Sequence, residues 1–273
     1  MIDWSVTPET RLAVGGVSLE YACHGPPPGQ GPTFVLLHEG LGSVALWRDV
    51  PAALAARTGL GVFAYSRHGY GRSDPARLPR PLDYMTREAK AVLGPLMDAA
   101  GLGDVILLGH SDGATIVGEY AGSVSDQRVR GLVLIAPHFF VEPKGIAAIR
   151  AAGTAFASGD LRARLAPYHD DVDGAFRGWH DAWTDPSFAE WNVADVIEYW
   201  RIPALVVQGT EDAYGSLAQV DEIAARAYSP VETLILEGCG HTPHLEQTEA
   251  TLEAVQDFAA RLLRLERAHV ALA

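Results

Sequence analysis

The sequence predicts an α/β protein: a mostly parallel sheet, covered by helices on both faces and interrupted by one helical insertion. Three observations carry this. Short apolar runs alternate with stretches of helical spacing through most of the chain. The runs are continuously apolar, as in strands buried on both faces, rather than alternating. From about Val141 to Arg201 they stop, and short helical stretches with Trp179, Trp183, Trp191 and Trp200 replace them.

The elements follow in order. Arg11–Val14 and Val17–Ala22 read as two short strands, with Gly15-Gly16 as the hairpin turn between them. Gly25 to Pro32 is a Gly- and Pro-rich loop. Thr33–Leu37 is a buried strand running into His38-Glu39-Gly40-Leu41-Gly42-Ser43. Residues 44–58 read as a helix carrying Trp47. Gly61–Ser66 is the next strand, followed by the loop Arg67-His68-Gly69-Tyr70-Gly71-Arg72-Ser73-Asp74. Residues 86–100 form a helix with Ala89, Val92, Leu93 and Leu96 at core spacing. Asp104–Leu108 and Gly131–Ala136 are buried strands, the second ending at Pro137-His138-Phe139-Phe140. After the insertion, strands resume at Ala204–Gln208 and Glu232–Leu236, and residues 245–267 close the chain as a helix. The core is therefore expected at residues 1–140 and 202–273, with 141–201 as a helical cap over the carboxyl ends of the strands, where such sheets bind ligands.

Between the strand at 104–108 and the helix that follows stands Gly109-His110-Ser111-Asp112-Gly113. This G-x-S-x-G sits where a strand must turn sharply into a helix, the context of a nucleophile elbow. Such a turn strains the serine backbone and exposes its hydroxyl. Gly109 and Gly113 leave room for strand and helix to pass close together. The helix start aims N–H groups at the place where negative charge would develop.

A serine hydroxyl is a weak nucleophile and needs a base, which needs an orienting carboxylate. Both are expected in loops after later strands. Gly209-Thr210-Glu211-Asp212-Ala213-Tyr214-Gly215 offers Asp212, with Glu211 as rival. Glu237-Gly238-Cys239-Gly240-His241-Thr242-Pro243-His244 offers His241, with His244 as rival.

The stretches LLHEGLGS, SRHGYGRSD, GHSDG, QGTEDAYG and GCGHTPHLE resemble an α/β-hydrolase of the capped type found among esterases and meta-cleavage-product hydrolases. The resemblance covers residues 33–136 and 203–262. It implies Ser111 as nucleophile, Asp212 as acid and His241 as base. It also implies an oxyanion hole made by the backbone N–H groups of Asp112 and, by register, Gly40. The loop departs from the family's usual His-Gly: here Glu39 follows His38. Glu39 either points to solvent or lies at the pocket mouth and selects substrate or positions water. The Asp112 side chain is expected to turn away from the oxyanion, toward nearby loop groups.

The expected chemistry is acyl transfer to water without metal or organic cofactor. The ten histidines show no H-E-x-x-H or comparable ligand spacing. An apolar, aromatic pocket is expected from Glu39, Trp47, His138, Phe139, Phe140, Trp179, Trp183 and Tyr214. The stretch 141–200 holds ten Asp/Glu and five Lys/Arg, a balance that disfavours an acidic carrier protein and coenzyme A thioesters. The best-fitting substrate is a small or medium ester with an alkyl or aromatic acyl group, or a lactone or thioester. A C–C bond hydrolase ranks lower, because those relatives usually carry Ser-Met-Gly where this chain has Ser111-Asp112-Gly113. A ligand receptor that keeps the fold is the reading from another class.

Composition narrows the setting. The net charge of −13, without a basic block, makes nucleic acid and anionic membranes poor partner candidates. No apolar run is long enough to span a bilayer. Two cysteines, Cys23 and Cys239, build no disulfide framework and fit a reducing cytoplasm. The opening Met1-Ile2-Asp3-Trp4-Ser5 has neither the basic nor the apolar part of a signal peptide.

Overall fold

A computed structural model describes Ile2, Trp4 and residues 10–272, with side chains described up to Leu265. The expectation about a signal peptide rests mostly on residues outside the described ones.

The strands are β1 Thr10–Val14, β2 Val17–His24, β3 Thr33–Leu37, β4 Val62–Tyr65, β5 Val105–His110, β6 Val129–Ile135, β7 Ala204–Gly209 and β8 Val231–Leu236. They form one sheet in the order β1-β2-β4-β3-β5-β6-β7-β8. The β1–β2 hairpin and the β2–β4 pair are antiparallel, and every pair from β4 to β8 is parallel. Leu37 lies opposite Gly109, and Gly109 opposite Leu134. Parallel strands present their carboxyl ends along one edge, so the loops after β3, β5, β6, β7 and β8 gather there.

Successive residues of a strand face opposite sides, and two cores result. Val35, Leu37 and Leu107 face the helices α2 Tyr84–Arg87, α3 Gly94–Ala100 and α4 Asp112–Ser123. A wider π-type stretch, Glu88–Leu93, joins α2 to α3. Phe34, Leu36, Ile106 and Leu108 face α1 Val50–Thr58 and the closing helix on the other side. Full burial of β3 and β5 explains their unbroken apolar sequence.

Between β6 and β7 come α5 Pro143–Ser158, α6 Leu161–Leu165 and α7 Val172–Thr184, then short 3₁₀ turns up to Tyr199. In α7, Val172, Ala175, Phe176, Trp179, Ala182 and Trp183 make one buried stripe at helical spacing. Asp171 caps its start by accepting from Gly174 N–H at 2.8 Å.

Two expected helices are divided. The stretch 44–58 is a 3₁₀ turn, Val44–Trp47, then α1, because Arg48 adopts a left-handed φ of 52° and Asp49-Val50-Pro51 starts a new helix. After β7 runs α8 Leu217–Arg226. The end of the chain is α9 Pro243–Glu246 and α10 Thr248–Leu272. There the Glu246 carboxylate folds back to accept from Gly240 N–H at 2.7 Å and Thr242 N–H at 2.9 Å. No described helix is long and apolar enough to cross a membrane.

Candidate active site

Ser111 follows the last residue of β5 and caps α4 with φ 54° and ψ −120°. A non-glycine residue with this backbone is strained, and such strain collects where a side chain must be aimed. The turn closes only because Gly113 has no side chain: a Cβ there would overlap the Leu37 carbonyl of β3. Asp112 opens α4, so its N–H has no helical acceptor behind it.

A cavity of about 330 Å³ covers this turn. Ser111, Asp112, Glu39, Gly40, His138, Phe140, Trp179, Trp183, Tyr214 and His241 all line it. Ile146 and Ile149 of α5 add an apolar wall. The Trp179 ring lies so close over Gly40 that a Cβ at that position would overlap it. Trp47 and Phe139 are not part of the lining. Trp47 is 1% exposed and packs on the His110 and His244 rings beneath the site. Phe139 is fully buried against Trp200, because its amide is tied to Gln219 Oε1 at 2.8 Å and its ring points into the core.

His241 Nδ1 stands 2.8 Å from Asp212 Oδ2. The Asp212 side chain is fully buried, and it also accepts from Gln208 Nε2 at 2.8 Å and from Tyr214 N–H at 2.8 Å. Burial alone would raise its pKa. The hydrogen bond and charge of His241 outweigh burial and hold Asp212 well below the usual carboxylate range. With Nδ1 engaged, Nε2 is the nitrogen of His241 open to the cavity it shares with Ser111. No hydrogen bond joins Ser111 to His241 among the described residues, as is common before substrate tightens such a site. Glu211 is exposed, and His244 is 2% exposed beneath His110, its pKa pushed far down by burial.

The Asp112 carboxylate is held in a buried polar network. It accepts from Tyr84 Oη and, at 3.2 Å, from Trp183 Nε1, with Arg67 Nη2 3.7 Å away. Its partners sit mostly on helices α2 and α7 rather than on the loop groups expected. Burial pushes its pKa up, while the Arg67 charge and both hydrogen bonds pull it down. Arg67 also donates to Glu39 O at 2.8 Å, so one buried cation anchors Asp112 and the β3 loop together.

Glu39 does not simply point to solvent. Its side chain is 26% exposed, lines the cavity and approaches His110 Nδ1 at 3.3 Å. His138 is 6% exposed, with its ring 5.7 Å from those of His241 and Trp183. Burial, with the charge of His241 second, lowers its pKa to about 3, so it is neutral.

Several contributors were missed in the sequence. Lys144 Nζ donates to Asp212 O at 2.6 Å, and Glu142 accepts from Ser216 N–H at 2.9 Å, pinning the start of α5 to the acid loop. Nothing in the local pattern marks these residues, because their partners lie some seventy positions away. Gln208 and His110 each sit at the end of a fully buried strand, and a polar residue there was the available signal. Among the described residues, no group of three His, Cys, Asp or Glu has the arrangement to hold a metal ion.

Comparison with known proteins agrees with this architecture. Epoxide hydrolase B of Mycobacterium tuberculosis is 30% identical over 165 residues, covering 60% of this chain and 43% of that protein. The chain thus spans less than half of that relative's length. Non-heme haloperoxidase of Rhodococcus erythropolis is 25% identical over 224 residues, 71% of this chain and 80% of that one. In fold, the enol-lactonase from Burkholderia xenovorans LB400 superposes with a TM-score of 0.70 at 21% identity, covering 92% of this chain and all of that one. The model of the "Alpha/beta hydrolase family" matches residues 34–254, which spans the sheet from β3 to β8, the insertion and the candidate site, and the chain belongs to that family.

Proposed function

We propose that the protein is a serine hydrolase acting on a small or medium carboxylic ester with an apolar or aromatic acyl group. The observation that carries this reading is the common cavity of Ser111 and His241, with His241 oriented by the buried Asp212. In this reading His241 Nε2 takes the Ser111 proton as Oγ attacks the ester carbonyl. The Gly40 and Asp112 N–H groups receive the developing oxyanion, a contribution of about 3–4 kcal/mol for each such donor. His241 then protonates the departing alkoxide, and an acyl-enzyme remains. Water attacks it, giving its proton to His241, and Ser111 leaves as the hydroxyl. Residues 141–201 act as the cap that dries the site, with Trp179, Trp183, Ile146 and Ile149 receiving the acyl group. The cavity volume suits a ligand of modest size.

The test is labelling with a fluorophosphonate probe, followed by p-nitrophenyl esters of graded acyl length, on wild type and Ser111→Ala. Labelling and turnover by wild type alone are expected, with a preference that falls off once the acyl group outgrows the cavity. A wild type that neither labels nor turns over any ester overturns the proposal.

A further inference from the structure

The residue before the candidate nucleophile presents an unusual hydrogen-bonding problem. His110 is completely buried, and both ring nitrogens face acceptors. Nε2 lies 2.8 Å from the His241 backbone carbonyl, and Nδ1 lies 3.3 Å from Glu39 Oε2. A carbonyl oxygen can only accept, so Nε2 must carry a proton. A neutral imidazole has no second proton for Nδ1, and an ionised carboxylate has none to offer. The pair therefore holds one proton more than a neutral histidine beside a carboxylate would.

We infer that Glu39 and the buried His110 form a carboxylate–imidazolium pair that clamps the Gly40 loop to the His241 loop beneath Ser111. Glu39 immediately precedes Gly40, and the carbonyl held by Nε2 belongs to His241 itself. One ring thereby fixes the proposed oxyanion donor and the proposed base relative to each other. The clamp is built in. Trp47 and His244 pack on the His110 ring, with centroids at 6.5 and 4.6 Å, and the His241 ring lies at 5.0 Å. His244 and His138 are kept neutral by burial, so Glu39 is the only carboxylate recorded against the ring among the described residues. Glu39 is held low, since the His110 hydrogen bond and charge outweigh its burial. An imidazolium is intrinsically a weaker acid than a carboxylic acid, and Glu39 is the partner that reaches the cavity, so the ring keeps the extra proton. Glu39 and His110 are positioning residues here, and their kinetic role rests on the function proposed above.

The experiment is ¹⁵N NMR of the histidine side chains near pH 7.5, assigned with His110→Asn and repeated on Glu39→Gln. In wild type both His110 ring nitrogens are expected to be protonated. In Glu39→Gln the side-chain amide donates to Nδ1, the geometry is kept, and the ring becomes a neutral Nε2–H tautomer. A wild-type Nδ1 that is unprotonated overturns the inference, as does a Glu39→Gln ring that stays doubly protonated. With esters, Glu39→Gln should lower kcat about tenfold with KM little changed, as for other supporting contacts behind a reactive group. The NMR result needs no turnover. Doubly protonated His110 in a protein that fails to label with fluorophosphonate leaves the clamp standing and removes the hydrolase reading alone.

Discussion

Two imidazole–carboxylate pairs flank Ser111, and they are built for opposite ends. In Asp212–His241 the carboxylate is completely buried and the imidazole 16% exposed, with one nitrogen left facing the cavity. In Glu39–His110 the burial is reversed: the imidazole is completely buried and the carboxylate 26% exposed. Both nitrogens of His110 are occupied. A ring with an open nitrogen can move a proton, whereas a ring tied at both ends can only hold two segments in place. Burial of the carboxylate in the first pair orients an imidazole that, in the proposed function, moves a proton. Burial of the base in the second fixes loops.

The largest loss is expected from disturbing the first pair. Asp212→Asn keeps the side-chain shape but removes the charge that selects the His241 tautomer. A loss of about 10⁴ in kcat is expected. Steady-state kinetics on the best ester would read it, and a loss of only tenfold would put the two pairs on the same footing.

The second pair predicts smaller losses with a characteristic pattern. Glu39→Gln should cost about tenfold in kcat and His110→Asn about tenfold to a hundredfold. Their combination should cost little more than the worse single change, since both break one interaction. Glu39→Gln combined with Asp212→Asn should instead approach the product of the separate losses. A multiplicative Glu39/His110 double variant would show that the two residues act independently and that no clamp exists.

The neutral histidines around both pairs set the acid limit of the fold. His138 titrates near 6.5 when unfolded and near 3 in the folded protein, where burial and the His241 charge oppose its protonation. His244 and His38 are lowered well below their ordinary value for the same first reason, burial. Below an ordinary histidine pKa the unfolded chain takes up protons that the folded protein refuses. The His138 contribution is thus fully present above pH 6.5 and falls as pH drops toward 3, by about 1.4 kcal/mol per pH unit, and His244 and His38 act in the same direction. Urea unfolding between pH 7.5 and 5 should show this decline, and His138→Gln should make it shallower. A flat profile would mean that these imidazoles are solvated.

How much of this was readable in the sequence depends on how local each interaction is. β3 and β5 are buried on both faces, so their apolar runs announce them. Ser111, Asp212 and His241 follow recognisable strand ends, so short-range pattern brought them forward as candidates while leaving Glu211 and His244 as rivals. Arg48 breaking the helix at 44–58, and Glu39 meeting His110 across 71 positions, depend on tertiary contacts without periodic signal. Trp47 and Trp179 illustrate the same limit. Both are large aromatic residues in helical surroundings, yet one packs beneath His110 while the other lies over Gly40 in the cavity. Composition alone does not separate them, because both positions reward a large apolar ring.

The smallest expected effect tests how firmly the first pair is specified. Glu211 and Asp212 are adjacent carboxylates in one loop, and sequence leaves either able to serve. The backbone decides between them. Glu211 N–H donates to Cys239 O at 2.8 Å, which ties the Asp212 loop to the loop carrying His241 through main chain rather than side chain. In the same loop Asp212 is turned inward to Gln208, Tyr214 N–H and His241 while Glu211 stays exposed. Glu211→Gln should leave kcat and KM within about twofold of wild type, as expected for an exposed change away from the site. A large fall in kcat would mean that the loop exchanges its carboxylates. The orientation of His241 would then be shared between two acids, and the contrast between a pair with one mobile member and a pair with none would lose its structural basis.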